Sequence, residues 1–342
     1  MRYLPRERLI KYGVNLLVAK GVPEANARII AETAVDTEAM GVSTHGAAIF
    51  PYFEAQINGE LDPKAEPQVV REKGATALID GRSGFAQLAL AKAKELGAAK
   101  ARKFGVGMVA GRNCFWLGGM GVYLVSLAQE GFFAQLWSQT STCKDCAPFG
   151  GIEAKFSTNP LALGVPLAGE PVIGDFSTAS VSMGKVKRMA ERGERSKEPL
   201  FLDREGETSD DPRVVLEGGS ILFLGGAYLG YKGYALSFWG EAMAALAGGD
   251  ANNPKAPTRQ CFSLTVIDPE AFAGREYYER EMERFVAHLK SNRLRTGFKQ
   301  IRLPGERAMR SLKEAASRGI PLEEGMIARL NEVARKNGIE EL

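Results

Sequence analysis

The chain has 342 residues, of which 45% are hydrophobic and 25% charged, so it can form one large or two modest globular domains. Its 44 lysines and arginines nearly balance its 41 aspartates and glutamates, which leaves a net charge of +3. This even balance argues against a nucleic acid or a membrane surface as partner.

The remaining features of composition favour a soluble, cytoplasmic protein. The opening residues MRYLPRERLI lack the apolar core of a secretory signal, and no apolar run approaches the ~18 residues that span a bilayer. Four cysteines are too few for a disulfide framework in a chain of this length.

The first part of the chain is predicted to be helical. Residues 5–20 and 23–40 each open with a proline, carry apolar residues at helical spacing, and end before Gly21 and Gly41 respectively. Residues 46–58 predict a third helix, interrupted near Pro51. His45 therefore follows directly after a predicted helix C-terminus.

The middle of the chain is predicted to be mixed α/β. ATALID (75–80) has the character of a strand, and the long helical pattern after it ends at Gly105. Residues 183–219 are polar with little periodicity, which predicts a long excursion, and residues 228–247 predict an apolar helix containing glycines. Further strands are predicted for VGMVAG, FFAQLWSQ, PLALGVPL, PVIGDFS and CFSLTVID.

The end of the chain, residues 269–342, is again predicted to be helical, with breaks at Pro304 and Pro321. This order suggests that the two chain ends pack together beside a central α/β unit. We therefore predict a helical domain made of residues 1–72 and 268–342 and an α/β domain made of residues 73–267.

His45, in GVSTHGAAIF, is one of only two histidines in the chain. Histidine is the side chain best suited to proton transfer near neutral pH, and a loop residue beyond a helix end can face a cleft. A histidine that satisfies the last helical carbonyls is the alternative. His288 lies in a charged amphipathic pattern and is expected at the surface.

The glycines of FGVGMVAG do not form a dinucleotide-binding fingerprint. Gly105, Gly107 and Gly111 have the spacing G-x-G-x-x-x-G, which is one residue too long, and no acidic residue follows about 20 positions later. The phosphate-binding pattern G-x-x-x-x-G-K-[ST] is missing as well. Both the Rossmann and the P-loop interpretations are therefore rejected.

Two predicted strand ends, STNPLALGVP and VIGDFSTAS, are rich in small polar residues. Such turns present backbone N–H groups and hydroxyls to a ligand, although ordinary turn chemistry explains them too. Asp175 ends one strand, where a carboxylate can orient a histidine or accept a hydrogen bond from a ribose hydroxyl. Lys232, between two tyrosines at a predicted helix start, would favour an anionic ligand.

The pair Cys143 and Cys146 in CKDC is weak evidence for a metal or redox site, and the sequence does not show whether Cys114 lies near the pair in space. We expect ordinary thiols and no metal.

Taken in order, GVSTHG, GRNCFWLGGMG, APFGG, STNPLALGVP, GDFSTASVSMGK, GYKGYALSF and IRLPGE resemble the malate/L-lactate dehydrogenase family. This family includes diketogulonate reductase, ureidoglycolate dehydrogenase, sulfolactate dehydrogenase and piperideine-2-carboxylate reductase. It is unrelated to the Rossmann lactate and malate dehydrogenases. The resemblance runs from about residue 5 to about residue 335.

The resemblance implies an α/β fold with a non-Rossmann NAD(P)-binding domain, whose sheet is largely antiparallel, and a helical domain formed by both chain ends. It implies a homodimer with the active site near the subunit interface. It further implies hydride transfer between NAD or NADP and a small-molecule substrate, either a 2-oxo/2-hydroxy acid or a cyclic imine.

The resemblance also assigns residue roles. His45 falls on the family's proton donor and acceptor, with Thr44 in place of the usual serine, and Asp175 is the candidate to orient its imidazole. The family's cofactor contacts fall on Thr158, Asn159, Pro160, Val172, Ile173, Gly174, Asp175, Phe176, Ser177, Tyr231, Lys232, Gly305, Glu306 and Arg307.

Three departures from the family pattern concern the substrate. Ile49 stands where the family commonly has an arginine suited to a substrate carboxylate, and Trp116 stands where it has a second active-site histidine. The stretch TCKDCAPFGG replaces a strand that usually carries small or apolar residues and sometimes an aspartate. Lys144 and Arg112 are the candidates for the lost positive charge.

We therefore predict an altered substrate pocket that suits a bulky 2-oxo acid or an imine. The alternative is a family member that binds the cofactor but has lost dehydrogenase activity and serves a binding or regulatory role; retention of His45 favours the enzyme. The predicted pocket residues are Thr44, Ile49, Tyr52, Trp116 and Lys144.

Overall fold

The computed structural model describes residues 1–57 and 59–342, and its helices and strands alternate through the middle of the chain. The α-helices are α1 Arg6–Ala19, α2 Glu24–Ala39, α3 Ile49–Ile57, α4 Ala86–Phe104, α5 Gly121–Gln129, α6 Met183–Glu191, α7 Arg213–Leu216, α8 Gly226–Leu246, α9 Arg275–Lys290, α10 Glu306–Arg318 and α11 Glu324–Asn337. The strands are β1 Arg2–Leu4, β2 Gln68–Lys73, β3 Thr76–Gly84, β4 Val106–Cys114, β5 Phe133–Thr140, β6 Leu161–Val165, β7 Val172–Phe176, β8 Phe201–Leu202, β9 Thr208–Ser209, β10 Ser220–Ile221, β11 Gln260–Ile267 and β12 Ile320–Leu322.

The central sheet is largely antiparallel, as predicted. Within the described part of the chain it has seven strands in the order β2-β3-β4-β11-β5-β6-β7. Only β3 and β4 run parallel, joined by the crossover helix α4, and every other neighbouring pair is antiparallel. The predicted α/β class and largely antiparallel sheet are confirmed, and this sheet differs from the mostly parallel sheet of a Rossmann domain.

The third predicted helix starts later than expected. Residues 42–48 form turns, and α3 begins at Ile49, because the segment is held by hydrogen bonds such as Ile49 N to the carbonyl of Gly46 (3.0 Å). Pro51 lies in the first turn of α3, where its missing N–H costs no helical hydrogen bond, so no interruption results. The predicted end at residue 58 lies outside the described residues.

Helices from both chain ends share one apolar core, which includes Leu9, Ile30, Phe53, Leu330 and Ala334. This packing agrees with the expected meeting of the two ends. α9, by contrast, buries none of its residues and contributes nothing to that core. The division into residues 1–72 plus 268–342 and residues 73–267 stays a prediction.

The predicted excursion over residues 183–219 was wrong, because this segment is folded. It contains α6, α7 and strands β8 and β9, which with β10 form a three-stranded sheet among the described residues. A small core made by Val186, Phe201, Ile221 and Phe223 holds it together. Its strands are only two residues long, so each contributes too few apolar side chains to produce a period in the sequence.

Gly230, Gly233 and Gly240 of α8 face the protein. Most aromatic residues of α8 face outward, except Tyr234, which packs against the small core at Phe223. Gly233 approaches the backbone of Leu224 so closely that an added Cβ would lie 2.6 Å from the Leu224 nitrogen. On the outer side, Phe238 is 60% exposed and Trp239 is 52% exposed. Within residues 1–57 and 59–342, no helix is both long and apolar enough to cross a bilayer.

Candidate active site

His45 lies in a turn that is tied to the preceding helix. The backbone N–H of His45 donates to the carbonyl of Val42 (3.0 Å), and the carboxylate of Glu38 in α2 accepts a hydrogen bond from Ala47 N (2.8 Å). Gly46 packs directly on Glu38, where a Cβ would overlap that side chain. A glycine at position 46 is therefore needed for the turn to close against α2.

The imidazole of His45 is held from two sides. Its Nδ1 lies 2.8 Å from the hydroxyl of Thr44, and its ring centroid lies 5.3 Å from that of Trp116. Among the described residues no hydrogen bond reaches Nε2. Nε2 is therefore the nitrogen that is available to a ligand.

His45 stands where two cavities adjoin. The first cavity, of about 340 Å³, is also lined by Tyr52, Trp116 and Arg259. The second cavity, of about 370 Å³, is also lined by Asp175. Both volumes are typical of small-molecule sites. The residues common to the two cavities are Thr44, His45, Gly118, Met120, Thr158, Pro160 and Ser182.

The surroundings of His45 disfavour its protonated form. Burial lowers the pKa of the imidazole, and the positive charge of Arg188 on α6 lowers it further. Arg188 is fixed nearby, because its guanidinium donates to the hydroxyl of Ser43 (3.3 Å). His45 is therefore neutral at pH 7 in this environment, as a proton acceptor must be.

Asp175 is placed differently from the expectation that it orients His45. Its Oδ2 accepts hydrogen bonds from the backbone N–H groups of Met120 (3.0 Å) and Gly121 (2.8 Å), at the start of α5. The imidazole is hydrogen-bonded to Thr44 instead. The side chain of Asp175 is accessible to solvent, but it lies in a cleft surrounded by protein atoms. This partial desolvation raises the pKa of its carboxyl. Asp175 lines the second cavity and fixes the start of α5.

Several predicted cofactor contacts meet at the second cavity. Asp175, Phe176 and Ser177, at the end of β7, line it together with Thr158 and Pro160. The hydroxyl of Ser177 donates to the Thr158 carbonyl (3.1 Å), which joins the two strand ends. Two segments that are far apart in sequence thus form one wall.

The turn at Gly305 packs on the same strand. Gly305 has a φ of +76° and lies against Ile173, whose carbonyl oxygen an added Cβ would overlap. Glu306 secures the turn, since its carboxylate accepts from Leu303 N (2.8 Å) and from Lys290 (2.6 Å). Arg307 follows as an exposed residue on α10. Val172 and Gly174 are half-buried in β7, and Ile173 is buried in the sheet core.

Of the fourteen predicted cofactor residues, nine line neither cavity: the six just described in β7 and the Gly305 turn, and also Asn159, Tyr231 and Lys232. Asn159 is 0% exposed, and its amide donates to Glu241 (2.8 Å) and to the Ser237 hydroxyl (3.0 Å) on α8. Its side chain therefore fastens α8 to the sheet and does not face a ligand. Tyr231 and Lys232 are exposed on α8 and line neither cavity.

Some of the predicted substrate residues line the first cavity, and others do not. Thr44, Tyr52 and Trp116 line the first cavity, and the rings of Tyr52 and Trp116 are 4.9 Å apart. Ile49 is 1% exposed and belongs to the core of the terminal helices. Lys144 is exposed and lines neither cavity.

The positive charge of the first cavity comes from a residue that the sequence did not single out. Arg112, one of the two candidates, pairs with Asp80 (3.1 Å) away from the cavity. Arg259 lines the cavity instead, with its guanidinium 4.5 Å from the ring of Phe115 and a hydrogen bond to Glu60 (2.6 Å). It stands just before β11, far from His45 in sequence, so no local motif could have indicated it.

The cysteines do not form the three-thiol site considered from the sequence. Cys146 is buried in the core of the small sheet, whereas Cys143 and Cys114 line the first cavity. Burial raises the pKa of each thiol, that of Cys143 to about 11. Such thiols stay protonated at neutral pH and are poor metal ligands. No group of three metal-ligating side chains occurs in the part of the chain that the structure describes.

Known proteins resemble the chain over its whole length. A family model described as malate/L-lactate dehydrogenase matches residues 4–331. A malate dehydrogenase of Pyrococcus abyssi is 30% identical, with 99% of this chain and 96% of the relative covered. The structure of malate dehydrogenase from Pyrococcus horikoshii OT3 superposes with a TM-score of 0.90 at 30% identity, covering 100% of this chain and 97% of that one. The delta1-piperideine-2-carboxylate reductase of Pseudomonas syringae superposes with a TM-score of 0.86 at 30% identity, covering 98% and 100%.

Proposed function

The chain belongs to the malate/L-lactate dehydrogenase family, and from this membership we propose that it is an NAD(P)-dependent oxidoreductase acting on a 2-oxo/2-hydroxy acid or a cyclic imine. The family and its relatives indicate the dehydrogenase or reductase class. The observation that carries the proposal is the position of His45 between two cavities. One holds the substrate and the other holds the nicotinamide end of the cofactor.

The second cavity has the chemistry that a nicotinamide riboside requires. The carboxylate of Asp175 and the hydroxyls of Ser177, Ser180 and Ser182 supply hydrogen-bonding groups for sugar hydroxyls and an amide. The Gly305 turn supports this wall from behind through its contact with β7. When bound, NAD or NADP supplies the hydride acceptor or donor.

His45 moves the proton in this mechanism. In reduction, protonated Nε2 donates to the substrate oxygen or nitrogen, and in oxidation the neutral imidazole accepts the proton from the hydroxyl. Thr44 fixes the ring through Nδ1, so that Nε2 keeps one direction. Arg259 binds the substrate carboxylate, for which a guanidinium already held by Glu60 and Phe115 is suited.

Titration and turnover together test the proposal. We expect NADH or NADPH fluorescence to report saturable binding, and a panel of 2-oxo acids and cyclic imines to contain at least one substrate. Tight cofactor binding with no turnover across the panel would overturn the dehydrogenase and favour the binding role.

The rates of reduction and of oxidation should depend on pH in opposite ways. Because the pKa of His45 is lowered, reduction should be fastest below that pKa, on the acid side of the ordinary value of about 6.5, and should fall about tenfold per pH unit above it. Oxidation should instead rise through the same pKa to a plateau near neutral pH. Profiles of kcat/KM in both directions check this, and a shared midpoint above pH 7 would contradict it.

We further propose that the protein is a homodimer joined through the outer face of α8. Tyr228 is 91% exposed, Phe238 60% and Leu246 60%, so large apolar side chains recur along one helix. An apolar surface of this kind marks a contact with another protein. Tyr231 and Lys232 lie on the same helix, so their predicted cofactor contact would be made near the subunit interface.

Phe238→Arg should shift the protein from dimer to monomer, because it places a charge in the centre of this apolar face. Sedimentation velocity measures the change. Phe104→Arg is the matched control, since Phe104 is also exposed (46%) but lies at the end of α4. A Phe238→Arg variant that remains dimeric at micromolar concentration would rule out this face as the interface.

A further inference from the structure

Asp145 is an acidic residue in the first cavity that the mechanism above does not use. It lines this cavity together with His45, Trp116 and Arg259. The backbone around it is fixed, since Asp145 N donates to the carbonyl of Phe156 (2.8 Å). The carboxylate itself accepts a hydrogen bond from the backbone of Thr158, another residue of the cavity wall, so it has a fixed place in that wall.

No cation neutralises Asp145 at close range. Among the ion pairs of residues 1–57 and 59–342, none includes its carboxylate. Lys187 on α6 is exposed and acts on it only at a distance, while Arg259 is engaged by Glu60. Burial raises the pKa of Asp145 to about 6, which leaves the group mostly ionised above pH 7. The neighbouring Cys143 is held protonated and adds no charge.

Ile49 does not offset the negative charge of Asp145. Its side chain is buried in the core of the terminal helices and brings no charge to the cavity. The first cavity therefore offers one guanidinium, that of Arg259, and one carboxylate, that of Asp145. A substrate with a single carboxylate and a distal hydrogen-bond donor matches this pair, whereas a second carboxylate would face a like charge.

We propose that Asp145 makes this enzyme select 2-oxo monocarboxylates that carry a distal hydroxyl or ammonium group, and reject dianionic substrates. The proposal rests on the proposed dehydrogenase function and names its substrate class. Relatives are named for malate and sulfolactate, both of which carry two acidic groups, so the proposal predicts a different substrate class for this chain.

Substrates of equal chain length test the proposal. The compounds are oxaloacetate, 4-hydroxy-2-oxobutanoate and 2-oxobutanoate, which differ only in the distal group: carboxylate, hydroxyl or none. The native enzyme should turn over the hydroxylated acid with a kcat/KM at least about tenfold above that for oxaloacetate. A preference for oxaloacetate would overturn the proposal.

Asp145→Asn keeps the shape and removes the charge. It should reduce the ratio of the two kcat/KM values at least about tenfold, mainly by improving oxaloacetate, and should change 2-oxobutanoate little. Asp145→Ser serves as a second variant if the amide disturbs folding, with melting temperatures measured for each. Glu153→Gln is the matched control, because Glu153 follows in the same segment but is exposed, and it should leave the ratio unchanged. A ratio that Asp145→Asn does not alter overturns the proposal.

Binding of unreactive analogues separates this inference from the proposed function. Succinate and 4-hydroxybutanoate differ in the same distal group, and their thermal stabilisation of the cofactor-bound protein needs no turnover. We expect 4-hydroxybutanoate to stabilise the native protein more than succinate, and Asp145→Asn to remove the difference. If neither these three oxo acids nor any other 2-oxo acid or cyclic imine of the panel is turned over but this difference is found, the dehydrogenase proposal fails while the selectivity of Asp145 stands. Equal stabilisation by both analogues overturns the selectivity.

Discussion

Replacing His45 with alanine should lower kcat by about 10²–10⁴-fold and leave the Kd for NADH or NADPH nearly unchanged. The imidazole adjoins both cavities, and Thr44 holds its Nδ1 at 2.8 Å, so Nε2 is directed to a ligand. The chain has only one other histidine, His288, which is exposed on α9 and cannot replace it. Steady-state rates followed by NAD(P)H absorbance, and cofactor titrations by fluorescence, measure the two quantities.

The control for this variant is His288→Asn, which removes the other histidine and should leave kcat unaltered. His45→Asn supplements the alanine variant, because it keeps part of the packing against Trp116 while it loses the titratable ring. Both His45 variants should retain the native melting temperature within a few degrees. An unaltered kcat in His45→Ala would remove His45 from the reaction and leave the proton to another group.

Several elements of the fold could be predicted because their apolar residues recur with a helical or strand period. The helical spacing of residues 5–20 and 23–40 matches α1 and α2, and CFSLTVID matches β11 within a residue. The pairing of strands could not be predicted in this way. β11 lies between β4 and β5, which precede it by more than a hundred residues, and only the packed sheet selects those neighbours.

The candidate site could be predicted only where a local motif carries it. His45 and Trp116 lie in short motifs, and both line the first cavity. Arg259 and Asp145 line the same cavity but belong to different parts of the chain, so only tertiary structure brings them together. Neither of the two candidates for the missing charge, Lys144 and Arg112, lines the cavity.

Asn159 shows that a motif can indicate a residue without indicating the direction of its side chain. It has a φ of +32°, which asparagine tolerates better than most residues, so the turn alone explains part of its presence. Its amide then bonds Glu241 and Ser237 in the interior. A sequence motif specifies that a polar residue follows a strand, but the direction of its side chain depends on α8, which lies far along the chain.

Gly305→Ala should both destabilise the protein and weaken cofactor binding, because Gly305 joins α10 to the strand that lines the second cavity. Its φ of +76° is unfavourable for alanine, and the new Cβ would overlap the carbonyl oxygen of Ile173 in β7. Relief of that overlap requires α10 or β7 to shift, and β7 carries Asp175 into the second cavity. We expect the Kd for NADH or NADPH to rise by about tenfold or more, since small displacements at a binding site have large effects.

Gly297→Ala is the matched control for Gly305→Ala, because it carries the cost of a left-handed backbone without the steric overlap. Gly297 also has a positive φ, +87°, but an added Cβ would meet no atom within 4 Å. Both variants carry the left-handed penalty of about 1–2 kcal/mol, and only Gly305→Ala adds an overpacking cost of about 1–3 kcal/mol to the free energy of unfolding. Urea unfolding and cofactor titration of the two variants measure the difference. If they lose equal stability and bind the cofactor equally, the contact between the Gly305 turn and β7 is not what shapes the second cavity.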